Sequence, residues 1–300
     1  MKGAVSMPDL LPRQFAIGEM LMGKGTPVDV TSFDPGSPEI TDQDVTLPGE
    51  DGSAYGLDTL DGPVLTLEMS VDEDTEAACR DVWRQLAREW RNPRLRDDPL
   101  AVTSLSVATW HGTPVRVFGR PRKFDLANGV YLKNGRVDLQ AEFKAADWKW
   151  YGEEEKTQTL RLLPSVPDSG IVFPLAFPIT WGSYTESRAD TVVNAGDTDT
   201  WPVVTFSGPV TNPSLELVGA GLKVTWQGSL AYDQSITLDT RPWMRTVLDQ
   251  SGASAAGRLR GNRLQEFVLA PGSTVLRFGG NDLTGNARCV IRYRDAHTTI

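Results

Sequence analysis

The chain has 300 residues, of which 40% are hydrophobic and 23% charged, and its formal net charge is −9. That length and composition fit soluble globular protein of about two domains. An acidic chain lacks the basic stripe that electrostatic binding of nucleic acid requires. Cys79 and Cys289 are the only cysteines and lie far apart, which excludes a disulfide framework or a four-cysteine zinc site and leaves two buried apolar fillers. No stretch of about 18 apolar residues occurs, and the first fifteen residues lack the apolar core of a secretory signal. The expectation is a chain neither inserted in a membrane nor exported by that route.

In chain order, residues 18–25 hold three glycines and a lysine. They lack the order and the following helix of a phosphate-binding loop, so they read as a turn between two strands. Next, residues 64–71 alternate, with Leu65, Leu67, Met69 and Val71 on one face and Thr66, Glu68 and Ser70 on the other, the pattern of a half-buried strand. A helix is predicted over 72–91. Ser70 and Glu73 have capping-box spacing, acidic residues crowd the first turn, and Asn92-Pro93 ends the run. Cys79, Val82, Trp83, Leu86 and Trp90 form its apolar stripe, whereas Arg80, Arg84, Arg88 and Arg91 mostly face elsewhere. Residues 84–96 are the most basic stretch of the chain. They read as a solvated helix face and loop, or as an ion-pair surface between subunits with 42–61 as its acidic partner. Asn134-Gly135 then predicts a tight hairpin joining 129–132 to the alternating Val137, Leu139, Ala141 and Phe143.

After Trp148 the composition changes, and Pro164, Pro167, Pro174 and Pro178 leave few places for continuous strand pairing. A domain boundary is placed there, giving domains 1–160 and 161–300. From Thr191 onward seven strands are predicted, at 203–206, 215–218, 222–226, 235–238, 265–269, 274–278 and 287–293. With no helical period among them, they imply a two-sheet sandwich. The fold class is mainly β (α+β).

Sites of chemistry are hard to find. His111 and His297 are the only histidines, and neither accompanies a nucleophile motif. The acidic runs Asp72-Glu73-Asp74 and Glu153-Glu154-Glu155 read as helix-start and solvated-loop charge, since paired catalytic carboxylates normally come from separate elements across a cleft. Residues 281–285 could hold calcium, yet one carboxylate without a ligand series reads better as a hairpin turn. The expectation is no catalytic residue, no metal and no cofactor. Of nine tryptophans, Trp83, Trp90 and Trp226 fall on core patterns. Trp181, Trp201 and Trp243 lie in Pro- or Gly-flanked settings and are the candidates for a recognition surface or an interface.

One stretch carries a family pattern. In Asn194-Ala-Gly-Asp-Thr-Asp-Thr-Trp-Pro-Val-Val-Thr-Phe-Ser-Gly-Pro-Val-Thr-Asn-Pro213, the residues Asn194, Gly196, Pro202, Gly208, Pro209, Asn212 and Pro213 resemble the second domain of the distal tail proteins of long-tailed phages. The resemblance continues at 236–240, 267–272, 276–278 and 287–294. It reaches back through 147–151, 170–174 and 177–178, the connector, to 18–30, 51–56 and 61–71 in the first domain. None of these motifs is catalytic; they are turn and strand punctuation.

The resemblance implies a tail-tube-like β domain with one packed helix, followed by a galectin-like or carbohydrate-module-like β-sandwich. It also implies a structural virion protein, assembled in the host cytoplasm, closing as a hexameric ring that joins the tail tube to tip, baseplate or fibre proteins. DNA would pass through such a ring without specific binding, which an acidic wall favours. Asp42, Asp44, Glu50, Asp51, Asp58 and Asp61, in a segment without Lys or Arg, are the candidates for lining or rimming the channel. The alternative from another class is a carbohydrate-binding module adhering to a host glycan. A glycan-cleaving enzyme has only generic carboxylates behind it.

Overall fold

The computed structural model describes residues 10–49, 51–108, 113–128, 134–162, 189–282 and 284–300. The chain forms two compact units, Met1–Glu153 with His297–Ile300, and Glu154–Ala296.

The first unit contains β1 (Gln14–Ile17), β2 (Met20–Gly23), β3 (Val28–Asp34), β4 (Ile40–Thr41), β5 (Val45–Thr46), β6 (Ser53–Ala54), β7 (Thr59–Leu60) and β8 (Val64–Asp72). Helices α1 (Glu76–Trp90) and α2 (Arg94–Asp97) follow, then β9 (Thr103–Ala108), β10 (Val115–Asn128), β11 (Arg136–Ala145) and β12 (Trp150–Gly152). Its main sheet runs β2-β1-β9-β10-β11-β8-β3, with β12 added to β10. The two alternating segments seen in the sequence become neighbours: Leu65 faces Phe143, Leu67 faces Ala141, Met69 faces Leu139 and Val71 faces Val137. Their shared register places all eight side chains in one core, since side chains alternate strictly between the two faces of a strand.

Helix α1 covers that core with Cys79, Leu86 and Trp90, and Val82, Trp83 and Ala87 pack at its margin. The Trp90 indole N–H donates to the Glu142 carbonyl at 3.2 Å, and its ring stacks on Phe124 with centroids 5.8 Å apart. The helix begins later than the sequence predicts. Thr75, not Ser70, is its N-cap, and its hydroxyl accepts from the Ala78 N–H at 3.2 Å. Ser70 stays in β8 opposite Asp138, and the Glu73 N–H donates to the Gly135 carbonyl at 2.9 Å. Ladder bonds to β11 thus occupy the backbone that a capping box at 70–73 would use. Gly135 takes φ +75, and a Cβ there would strike the Glu73 carbonyl oxygen, so this position requires glycine. The strand expected at 129–132 lies outside the described residues, and β10 supplies the described partner on that side of β11.

The second unit begins with β13 (Lys156–Arg161) and β14 (Ala189–Asn194). Because β13 pairs with the strand at Arg288–Tyr293, its residues lie in the second unit, ahead of the boundary at 160 read from the sequence. Then come β15 (Val203–Ser207), β16 (Val210–Leu217), β17 (Leu222–Trp226), β18 (Ser229–Leu230), β19 (Ser235–Asp239), β20 (Val247–Asp249), β21 (Leu259–Gly261), β22 (Gly272–Asn281) and β23 (Arg288–Tyr293). They form two antiparallel sheets, β13-β23-β15-β19-β20 and β14-β22-β16-β17-β21, with β18 on β16. Phe206, Ile236 and Ile291 from the first sheet and Leu215, Leu276 and Phe278 from the second share one core, the expected sandwich. One predicted strand is absent. Residues Leu264–Glu266 form a helical turn, because the Glu266 carboxylate accepts from the Arg263 N–H at 3.3 Å and the Asn262 amide at 3.3 Å. Only Leu269 bridges, to Thr200.

The punctuation residues of the resemblance have structural duties. Asn194 is buried, at 1% exposure. Its amide donates to the carbonyls of Thr198 at 2.8 Å and Leu269 at 3.1 Å, and its oxygen accepts from the N–H groups of Gly196 at 3.1 Å and Ala296 at 3.3 Å. All four bonding positions of the amide are therefore used. Gly196 must be glycine, since a Cβ there would overlap the Ala296 carbonyl. Asn212 adopts φ +50, and its side chain accepts from the Gly228 N–H at 3.0 Å, which fixes the start of β16.

Candidate assembly surfaces

Catalytic constellations were not expected, and the candidate groups have structural partners. Among the described residues no group of three or more His, Cys, Asp or Glu is arranged to hold a metal ion. Cys79 and Cys289 are buried, and desolvation pushes both thiols above their usual range, which disfavours the reactive thiolate. His297 is half-buried, and His111 lies outside the described residues. Glu153 corrects the solvated-loop reading: it forms an ion pair with Arg116, whose Nε donates to its Oε2 at 3.0 Å. At the loop 281–285, Asp282 Oδ1 accepts from the Thr284 N–H at 2.7 Å and its hydroxyl at 2.8 Å, and Oδ2 accepts from the Ala287 N–H at 2.8 Å. Burial alone would raise this carboxyl, but the donors outweigh it and hold it below the usual carboxylate range. The loop is a turn closed by its own carboxylate.

The acidic segment forms a two-stranded arm between β3 and β8. Ile40 pairs with Leu60 and Thr41 with Thr59, and further out Val45 pairs with Ala54 and Thr46 with Ser53. Two-residue ladders are marginal by themselves in water. Every described residue from 39 to 61 is exposed, including Asp42, Asp44, Asp51, Asp58 and Asp61; Glu50 lies outside the described residues. Asp44 accepts from the Gly56 N–H at 3.0 Å and so ties the two limbs together. The arm is also apolar to a degree its charge hides: Ile40 is 62% exposed, Val45 61%, Tyr55 88% and Leu57 81%. The sequence shows this segment as acidic; what composition alone did not reveal is that its apolar residues find no core.

A second charged surface lies on α1 and α2. Arg80, Arg84, Arg88 and Arg91 follow one another at helical spacing along one face, and Arg94 and Arg96 extend it. Arg80 pairs with Glu76, and Arg84 with Asp81 at 3.3 Å. Arg91 donates to the Phe124 carbonyl at 3.4 Å and lies 5.9 Å over the Phe124 ring. Arg88, Arg94 and Arg96 are exposed and have no ion-pair partner among the described residues. The loop behind them is held down by Arg120, which donates to the carbonyls of Asp98, Pro99 and Ala101 at 2.7–2.8 Å.

The candidate aromatics give less. Trp181 lies outside the described residues; Trp201 and Trp243 are half-buried in the second unit, and the Arg241 guanidinium covers Trp243 at 5.8 Å. An open cleft of about 560 Å³ in that unit is lined by Trp226, Gln234, Asp249, Gln250 and Arg258 among others. The Trp226 ring is 4% exposed, with Arg258 5.5 Å above it, so it offers no open face on which a sugar ring could stack.

A sheet carrying one packed helix and an exposed arm, followed in the chain by a two-sheet sandwich, defines a mainly β fold of two units. The solved structures similar to this chain identify that fold more closely. The distal tail protein Dit (gp 19.1) of phage SPP1, described as a paradigm of the hub adsorption apparatus in phages infecting Gram-positive hosts, matches with a TM-score of 0.57 and 14% identity over 93% of this chain and 97% of that one. Chains of the phage P2 baseplate in its activated conformation match with TM-scores of 0.56 with calcium and 0.55 with strontium. Their identities are 12% and 11%, over 94% and 93% of this chain and 98% and 97% of theirs. No known family's sequence profile matches, and no curated protein is detectably similar in sequence. No helix among the described residues is long and apolar enough to cross a membrane.

Proposed function

We propose that this chain is a structural subunit of a phage tail tip, a distal tail hub that closes as a hexameric ring and joins the tail tube to tip or baseplate proteins. The observation that supports it is fold-level likeness to the SPP1 hub protein along nearly the full length of both chains. The first unit, residues 1–160 in the sequence-based division, closes the ring. Its sheet ends at β2 and β3, and such edges need a partner or a cover, which ring closure supplies. The sandwich, residues 161–300 in that division, presents its outer surface to tip or fibre proteins. Carboxylates of the segment 42–61 that stay clear of the contacts between subunits rim the channel, where they repel DNA in transit. The protein resides in the virion after assembly in the host cytoplasm.

Measuring the mass of the full chain by light scattering and native mass spectrometry tests this reading. A closed ring of six supports it. A chain that stays monomeric up to high concentration refutes it. Nothing among the described residues favours the alternative, a carbohydrate module for adhesion: the Trp226 ring that lines the cleft of the second unit is buried under Arg258.

A further inference from the structure

The arm and the arginine face belong to the same unit, and neither satisfies the other within one chain. Glu39, Asp42, Asp51, Asp58 and Asp61 are exposed without ion-pair partners among the described residues, as are Arg88, Arg94 and Arg96. Opposite surplus charge on two separate exposed surfaces is the complementarity that orients subunits and selects register. Apolar character matches as well. Ile40, Tyr55 and Leu57 of the arm are exposed, and Leu100 (39%) and Leu126 (44%) are exposed on the loop after α2 and on β10, beside Phe124, which carries Arg91. Arginine stems add further apolar surface. The receiving face is pre-organised, because Arg120 clamps the 98–101 loop through three carbonyls, so little ordering is required on that side. The arm requires a cover: its ladders are too short to stand alone.

We infer that the acidic arm of one copy docks along the arginine face of α1 and α2 of the next copy, burying its apolar side chains against Leu100 and Leu126. Two different patches meet, so the contact is head-to-tail and propagates around a ring rather than stopping at a dimer. This inference rests on the ring reading and names the surfaces that close it.

Charge reversal in the full chain tests it. One variant carries Asp42→Arg, Asp58→Arg and Asp61→Arg; the other carries Arg88→Glu, Arg94→Glu and Arg96→Glu. Each alone places like charges across the contact, and self-association in sedimentation experiments should weaken at least about a hundredfold, or about 2.8 kcal/mol per interface. Mixed in equal amounts, each variant's arm meets a complementary face on the other. An alternating ring should then form, visible as a mixed species in native mass spectrometry. All six residues are exposed, so at a concentration low enough to dissociate the wild type the melting temperatures should match its value, which separates lost assembly from lost folding. Rings indifferent to both reversals, or variants that melt normally yet fail to recover on mixing, overturn this inference and leave the ring reading standing. A wild-type chain that never self-associates overturns both.

Discussion

Replacing Asn194 by alanine removes a side chain that closes the second unit at three points: the end of β14, the loop reaching Thr198, and the chain at Leu269 and Ala296. The Leu269 carbonyl keeps one donor, the Thr200 N–H at 2.9 Å. The N–H groups of Gly196 and Ala296 and the carbonyl of Thr198 lose the bonds Asn194 gave them. At about 1–3 kcal/mol for each buried polar group left unpaired, and allowing for a water entering the vacated space, the loss comes to roughly 3–5 kcal/mol. That is a large share of the ~5–15 kcal/mol available to a domain. Urea unfolding of the full chain, followed by tryptophan fluorescence, should show the transition of the second unit moving to lower denaturant with its slope unchanged, while that of the first stays in place. Asn262→Ala is the comparison: it removes two exposed bonds, one from the Lys223 N–H at 2.9 Å and one to the Glu266 carboxylate at 3.3 Å, and should cost no more than about 1 kcal/mol. If the two variants lose the same stability, the buried amide does not close the sandwich.

Two further outcomes follow from single side chains. Thr75→Ala should lower the stability of the first unit by about 1 kcal/mol in the same unfolding assay. Ser70→Ala should leave α1 intact, since Thr75 provides the cap bond; the reverse order would restore the capping box at 70–73. Asp282 gives a pH signature. Its folded pKa lies below the unfolded value of about 3.9, so its stabilisation is present above that value and disappears as the pH falls through the folded pKa. Asp282→Asn should destabilise the second unit at neutral pH and flatten its acid limb below about pH 4, as read from melting temperature against pH; an unchanged limb refutes this.

Much of the fold was legible because its signals are local. Alternation at 64–71 and 137–143 placed eight side chains in one core, and the 3.6-residue stripe from Cys79 to Trp90 placed the helix upon it. The errors share a cause in non-local pairing. Ser70 and Glu73 have capping-box spacing, yet β11 claims their backbone; residues 265–269 look like a strand, yet Glu266 folds back on the Arg263 N–H. The sequence boundary missed β13 because its partner, β23, lies more than a hundred residues away. At the candidate surface, charge was legible from composition, as in the absence of Lys and Arg from 42–61 and the arginines of 84–96. Exposure was not, because Ile40, Val45, Tyr55 and Leu57 read as ordinary strand residues until the structure shows that none of the described residues covers them.

The carboxylates of the arm can act in three ways, and these differ in the sign of one measurement. An exposed edge bearing acids is a common device against unwanted pairing; on that account Asp42, Asp58 and Asp61 keep the arm soluble, and neutralising them as Asp42→Asn, Asp58→Asn and Asp61→Asn should strengthen association. As a repulsive rim, the same carboxylates lie off the contact, so the triple amide should leave the ring intact and let duplex DNA bind more tightly at low salt. If they pair with Arg88, Arg94 and Arg96 of the next copy, neutralisation should weaken association. Exposed pairs contribute about 0.2–1 kcal/mol each, so three pairs amount to roughly a threefold to hundredfold loss per contact. Added salt should weaken the wild type toward the variant, since screening here damps an attraction across the contact, whereas on the first account it would relieve repulsion and strengthen association. The arrangement of charge here favours the third account: the arm holds no cation, the arginine face keeps three without an ion-pair partner among the described residues, and both are exposed. Sedimentation of wild type and triple amide across a salt series decides it. Association strengthened by the amides, or equal for both chains at every salt concentration, would remove the ion-pair account.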